Sequence, residues 1–304
     1  HTNIHKGLQK RLGFDTKLNS SAYAGLGGGI FHYVQSVTVQ YLMQFVGSVL
    51  MKMDLSGTWD GTWDTIAVDG TNGTQMSDNI IHFTSWSADG TLIMTTESRN
   101  VPQRINATDT SYVNLHYGGA GTAPSGNYCI VWSNHTWIAN TAADPDIVQR
   151  STVNSYKSWN GTDSGSNSIV TAGDIGITGF AELNGLLYVF KKWSIYRISY
   201  LGGSPLLDIK QVKSAIGTQS QKSIIHVEMP DGHEVLMFLG SDKHLYIFDG
   251  YNVIPITQGI YNDNGISDFY MQNISNLQLN RVHAVNYRDL NMALFFVPLA
   301  SSTD

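Results

Sequence analysis

Beyond His1 and His5, His226, His233 and His244 are the closest grouping of imidazoles in the chain. Imidazoles held close together bind zinc, so these three are the first residues to weigh. Their gaps of 7 and 11 residues impose no ligand geometry, and no His-Glu-x-x-His pair occurs. They read as strand-surface histidines, as do the scattered His32, His82, His116, His135 and His283. Asn262-Asp263-Asn264-Gly265 and Asp144-Pro145-Asp146 carry the oxygen donors of calcium sites. Neither has the full EF-hand spacing with its closing bidentate Glu, and the same residue types build turns. Cys129 is the only cysteine and lies in an apolar stretch with no basic neighbour to activate it, which reads as a buried, inert thiol.

Other reactions need groups that are missing or sparse. Glycoside cleavage requires two placed carboxylates, and sialidase-type sites add an arginine cluster. The arginines here are Arg11, Arg99, Arg104, Arg150, Arg197, Arg281 and Arg288, with no grouping among them. Ser85-Trp86-Ser87-Ala88-Asp89-Gly90-Thr91 resembles the aspartate box of sialidase propellers but lacks its spacing, and a Ser/Asp/Gly hairpin accounts for it. Gly25 to Gly29 is glycine-rich, yet no Lys-Ser/Thr follows it, so it reads as a lead-in or turn and not a phosphate loop. No catalytic, cofactor-binding or metal-binding residue is assigned, and the chain reads as a non-enzyme without a cofactor. Trp132, Trp137, Trp159, Trp193, Phe190 and Tyr196 could form a stacking platform for sugars or bases, but their recurrence favours packing between structural units.

Composition narrows the field further. Hydrophobic residues make up 42% and charged residues 14%, enough apolar material for a large core. The net charge of −6, with both signs mixed along the chain, argues against a broad nucleic-acid-binding face. No apolar run approaches a membrane-spanning helix, and the best candidate, Val37 to Met53, alternates with polar residues as strands do. Six Asn-x-Ser/Thr triplets are close to what so Asn-, Ser- and Thr-rich a chain gives by chance. The start at His1 suggests that the natural N-terminus has been removed or lies outside the given residues.

The elements that must position these residues repeat. An apolar strand, a short polar break and a second apolar strand recur in Phe45 to Met53, Phe83 to Thr95, Val131 to Ala139, Val189 to Ile198 and Phe238 to Phe248. A weaker copy starts at Phe295. The anchors Val46, Ser85, Trp132, Phe190, Leu239 and Phe296 are 39, 47, 58, 49 and 57 residues apart. That period matches the roughly 40–50 residues of a four-stranded propeller blade. Asn184-Gly185 and Asp231-Gly232 supply the tight turns that such strands need. In the clearest copy, strands are expected near Ile177 to Glu182, Leu186 to Phe190, Ser194 to Tyr200 and Leu206 to Val212. The expected fold is an all-β propeller of about six four-stranded blades, short of strands at both ends. Residues 1–304 form one domain, with 1–29 as lead-in and 30–304 as blades.

The order of several motifs resembles the tail propeller proteins of short-tailed phages, a group of nozzle or hub proteins also described as packaged-DNA stabilisation proteins. The carriers are Lys6 to Phe14, Asn134-His135-Thr136-Trp137, Asp144-Pro145-Asp146, Arg150-Ser151 and Ser158-Trp159. They continue through Ile177 to Phe180, Asn184 to Lys191, Ser194-Ile195-Tyr196, Ile216-Gly217-Thr218, Ser223-Ile224 and Leu245 to Gly250. The resemblance implies a structural virion protein of the phage tail. Copies of the chain would form a ring, often a hexamer, below the portal and adaptor, carrying a tail fibre or needle. The ring would extend the channel for double-stranded DNA, without sequence specificity and without a membrane. It implies no catalytic residues. A propeller that binds a carbohydrate or a protein at one face is the alternative, and a glycoside hydrolase on the same fold is a third reading.

Overall fold

From Leu186 to Lys191 every side chain but the first is buried, which a strand achieves only when both of its faces are covered. The pleat sends alternate residues to opposite sides. Leu187 and Val189 join one apolar cluster, with Trp137, Val148 and Ile177. Tyr188 and Phe190 join another, with Leu236, Phe238 and Phe248. One sheet thus takes part in two cores. That is the geometry of stacked blades.

The computed structural model describes residues 27–36, 38–56, 62–77, 80–106, 109–202, 206–212, 214–257 and 273–299. The first blade comprises β1 (Gly27–Ser36), β2 (Val39–Val46), β3 (Val49–Asp54) and β4 (Asp64–Val68). The second comprises β5 (Ile81–Trp86), β6 (Thr91–Thr96), β7 (Gln103–Ile105) and β8 (Ser111–Asn114). The third follows with β9 (Gly126–Trp132), β10 (His135–Thr141), β11 (Ile147–Arg150) and β12 (Gly165–Ser168). The fourth has β13 (Ile177–Leu183), β14 (Leu186–Lys191), β15 (Ile195–Tyr200) and β16 (Leu207–Gln211). The fifth has β17 (Ile225–Glu228), β18 (Glu234–Leu239), β19 (Leu245–Phe248) and β20 (Val253–Pro255). The hairpin β21 (His283–Tyr287) and β22 (Met292–Phe296) begins a sixth. Within each unit the strands are antiparallel and paired in chain order. The outer strands β4 and β8 also meet in parallel, Ala67 opposite Ser111 and Val68 opposite Tyr112. This joins the first two blades into one eight-stranded sheet.

The chain is therefore the all-β propeller expected from its repeats, with five complete blades and two strands of a sixth among the described residues. The fourth blade falls within a residue or two of the expected strands. β1 starts at Gly27, inside the segment read as lead-in, and Gly29 within it packs closely. A Cβ on Gly29 would lie 2.9 Å from Lys222 Nζ and 3.1 Å from Ile81 Cγ2.

Among the described residues, five clusters of buried apolar side chains join successive blades, one at each junction. Tyr33, Phe45 and Ile66 of the first blade pack on Ile81, Met94 and Tyr112 of the second. Trp86 and Ile93 meet Cys129 and Ile138 of the third. Between fourth and fifth, Phe190 and Phe238 lie edge to face at 5.4 Å, and Tyr188 and Phe248 at 4.9 Å. Between fifth and sixth, Leu239 packs with Ile274, Leu279 and Val282. Polar seams add direction. Trp132 Nε1 donates to the carbonyl of Gly185 at 3.1 Å, and the Tyr33 hydroxyl donates to the carbonyl of Gly90. Gly185 and Asn184 both have positive φ (74° and 53°), as the two-residue turn between β13 and β14 requires.

Truncating Phe190 would empty space that no single blade can refill. Phe190→Ala is expected to lower the unfolding free energy by about 3–5 kcal/mol, read from denaturant titration of the whole chain. A similar change at an exposed site such as Tyr251 is expected to move it by no more than about 0.5 kcal/mol.

Candidate functional site

In a propeller the place to look for function is the axis and the loops around it, where the first strands converge. Here the crossover from the fourth blade to the fifth touches several first strands. Gly217 and Thr218 donate their backbone N–H groups to the carbonyls of Lys192 and Lys191, at 3.2 and 3.1 Å. A Cβ on Gly217 would sit 2.0 Å from the Lys191 oxygen, so only glycine fits. The Thr178 hydroxyl then donates to the Thr218 carbonyl at 2.6 Å, and Ser220 Oγ to the Val282 carbonyl at 2.6 Å. These bonds fix the short 3-10 turn Gln221–Ser223. Gln221 lies against Gly179 of β13, and its amide donates to the Cys129 carbonyl of β9 at 3.5 Å. Lys222 reaches Gly29 of β1, which itself abuts Ile81 of β5. Strands of the first, third and fourth blades thus touch this one polar turn.

The candidates read from the sequence do not assemble around this turn. Among the described residues, no group of three His, Cys, Asp or Glu side chains is placed to hold a metal. His226 is exposed on β17, His233 pairs with Asp231 at 3.1 Å, and His244 meets the Thr257 hydroxyl at 3.1 Å. Asp146 serves structure: its Oδ1 accepts the Gly176 N–H at 2.7 Å and meets Lys191 Nζ at 3.0 Å. Cys129 is buried, and burial pushes its thiol up to about 12, which keeps it protonated. Ser85 to Thr91 is the β5–β6 hairpin, with Asp89 Oδ1 accepting the Thr91 N–H at 2.9 Å. Trp132, Trp137 and Phe190 are buried at blade interfaces, whereas Trp193 is 40% exposed. His1, His5, Lys6 to Phe14 and Asn262 to Gly265 lie outside the described residues.

Two features had no counterpart in the sequence reading. Lys191 is fully buried, its ammonium shared between Asp146 and the Ile169 carbonyl at 3.0 Å, and this ion pair ties the fourth blade to the third. The signal was available: Lys191 has the same parity as Leu187 and Val189, so it must face the third blade. Asp174 is also buried and accepts from the Ser194 hydroxyl at 2.6 Å and the Trp193 N–H at 3.1 Å. Among the described residues, the surface clefts include two shallow ones. One, of about 400 Å³, is lined by Asp69, Arg104, Asp109 and Tyr117. The other, of about 440 Å³, lies between the fourth and fifth blades beside Trp193.

No protein-family model matches the chain, and no curated protein matches it in sequence. Solved structures with a similar course of the chain include the extracellular domain of a B. thetaiotaomicron protein described as a hybrid two-component system. It is 10% identical with a TM-score of 0.48, over 77% of this chain and 28% of that one. The N-terminal domain of Nup159 is 11% identical with a TM-score of 0.48, over 89% and 73%. The periplasmic gluconolactonase of Pseudomonas aeruginosa is 10% identical with a TM-score of 0.44, over 71% and 65%. The chain spans less than a third of the first of these proteins.

His135 offers a check on how tightly the third blade is closed. It is buried, its Nδ1 lies 2.6 Å from the Ser151 carbonyl, and its ring stacks on Tyr200 of the fourth blade. Burial holds its pKa below the usual histidine value, with the Ser151 bond opposing. A depressed imidazole binds its proton more readily when unfolded, so stability is complete above the unfolded pKa of about 6.5 and declines as pH falls below it. Melting temperature is expected to drop between pH 7 and pH 5, and His135→Gln is expected to flatten that slope.

Proposed function

We propose that this propeller is a structural protein of a phage tail, a subunit of the ring below the portal and adaptor that extends the DNA channel. The observation that carries the reading is where the shared motifs fall. Asn184-Gly185 is the turn that Trp132 of the preceding blade grips. Ile216-Gly217-Thr218 and Ser223-Ile224 belong to the crossover bonded to the β14–β15 turn. Asp144 to Asp146 and Lys191 supply the two sides of the ion pair between third and fourth blades. Motifs that serve packing and not catalysis suit a protein that acts by shape.

In this reading DNA passes through the opening of the ring and not through a subunit. A closed ring of identical subunits repeats one heterologous contact, which is how a tube of fixed bore is made. The net charge of −6 gives DNA little to adhere to, as a conducting wall requires. In this reading the chain needs no cofactor and performs no catalysis. Its partners are copies of itself, the portal or adaptor, and a fibre or needle protein. A propeller-type binding module is the second reading, favoured by the exposed Trp193 beside its cleft.

Negative-stain imaging of the purified chain, and of virions that carry it, tests the assignment. Closed rings, six-fold by expectation, and labelling of the chain at the tail would support it. A strictly monomeric protein that is missing from virions would overturn it.

A further inference from the structure

Trp193 stands out because the fold holds it in place yet leaves it in solvent. It sits in the turn between β14 and β15, with 40% of its surface exposed. Three separate segments fix that turn. Asp174 accepts the Trp193 N–H at 3.1 Å and the Ser194 hydroxyl at 2.6 Å. The Lys192 carbonyl accepts from Gly217 N–H at 3.2 Å and from the Ser241 hydroxyl at 2.7 Å. Asp174 is 4% exposed, and its second oxygen, Oδ1, has no hydrogen-bond partner. A buried carboxylate left half-satisfied is costly, so the arrangement is explained better by the presentation of the turn than by stability alone.

The indole lines a cleft of about 440 Å³ between the fourth and fifth blades. The crossover gives it Ile216, and the fifth blade gives Asp242, Tyr246, Val253 and Pro255. The volume lies within the roughly 300–1,000 Å³ typical of small-molecule sites. The far wall is as fixed as the near one. Asp242 Oδ1 accepts the His244 N–H at 3.1 Å, Oδ2 accepts the Tyr246 hydroxyl at 2.6 Å, and the Tyr246 ring stacks on buried Phe238 at 5.6 Å. Burial and the Asp242 charge keep the Tyr246 hydroxyl protonated, so it remains a donor to that carboxylate and holds it in orientation.

An aromatic face, an apolar floor and one oriented carboxylate define the ligand by exclusion. Asp242 disfavours a phosphate-bearing chain, set against the Lys192 Nζ that lies over the Trp193 ring at 5.3 Å. A wholly apolar ligand would strand that carboxylate away from water. The fitting chemistry is a ring with an apolar C–H face on one side and hydroxyl donors at its edge. We propose that this cleft binds neutral carbohydrate, with a pyranose stacked on Trp193 and adjacent hydroxyls donating to Asp242. The site does not depend on ring assembly, and its failure would leave the tail assignment standing.

The full-length chain is screened on an array of neutral and acidic glycans, and hits are titrated by calorimetry. Neutral glycans are expected to bind. Trp193→Ala is expected to weaken binding roughly tenfold or more, equivalent to about 1.4 kcal/mol, with Asp242→Asn close behind. Trp193→Phe is expected to keep most of the affinity, and Tyr117→Ala, an exposed aromatic in the other cleft, to change nothing. Circular dichroism melts establish that each variant is folded. The proposal is overturned if no glycan binds, if Trp193→Ala binds as well as the parent, or if Tyr117→Ala loses as much. It is also overturned if Trp193→Ala abolishes self-association while glycans fail to bind, which would make the cleft a contact between copies.

Discussion

Alternate residues of an inner strand point to opposite sides, and in this chain both sides are apolar. Leu187 and Val189 need the third blade, while Tyr188 and Phe190 need the fifth. No blade can satisfy that demand alone, because water would then lie against one of its two faces. At about 25 cal/mol per Å², a single uncovered face of several large side chains outweighs the net stability of a typical domain. The ring follows from this constraint: each blade is both cover and covered. Buried polar contacts such as Lys191 with Asp146, and Trp132 with the Gly185 carbonyl, then select one alignment among the many that apolar contact would permit.

Covering faces in sequence also bears on the crossover and the rim. The polar turn Gln221–Ser223 lies close against Gly29 and Gly179, where a larger residue on either first strand would crowd it. The crossover that places this turn passes under the Lys192–Trp193 turn and holds it from below through Gly217. Core, first strands and exposed indole are therefore mechanically connected through one segment of the chain. Shape and surface presentation, more than reactive groups, are what this architecture delivers.

Much of this could be read in advance. Strand length, turn chemistry and period placed the fourth blade almost residue by residue. The phase of the repeat was less legible. The anchors Val46, Phe190, Leu239 and Phe296 fall on second strands, whereas Ser85 and Trp132 fall on first strands. First and second strands of a blade are both apolar and are joined by similar hairpins, so local pattern cannot tell them apart. The turn Gln221–Ser223 escaped notice for a different reason. Gln221 and Cys129 are 92 residues apart, and a short polar segment carries no sign that it will be enclosed. Lys191 was hidden by its neighbour: a Lys-Lys pair looks like a solvated turn, although only Lys192 is one. Trp193 was grouped with the packing aromatics because residue type alone does not reveal which member of a set the fold leaves outside.

The interdependence of the blades can be measured directly by native-state hydrogen exchange across a denaturant series. Amides of β5, β9, β10, β13, β14 and β18 are expected to merge into one opening reaction whose free energy matches global unfolding. Separate plateaus for individual blades, with one sheet exchanging fully while its neighbours stay protected, would contradict the claim that each blade is stable only against the next.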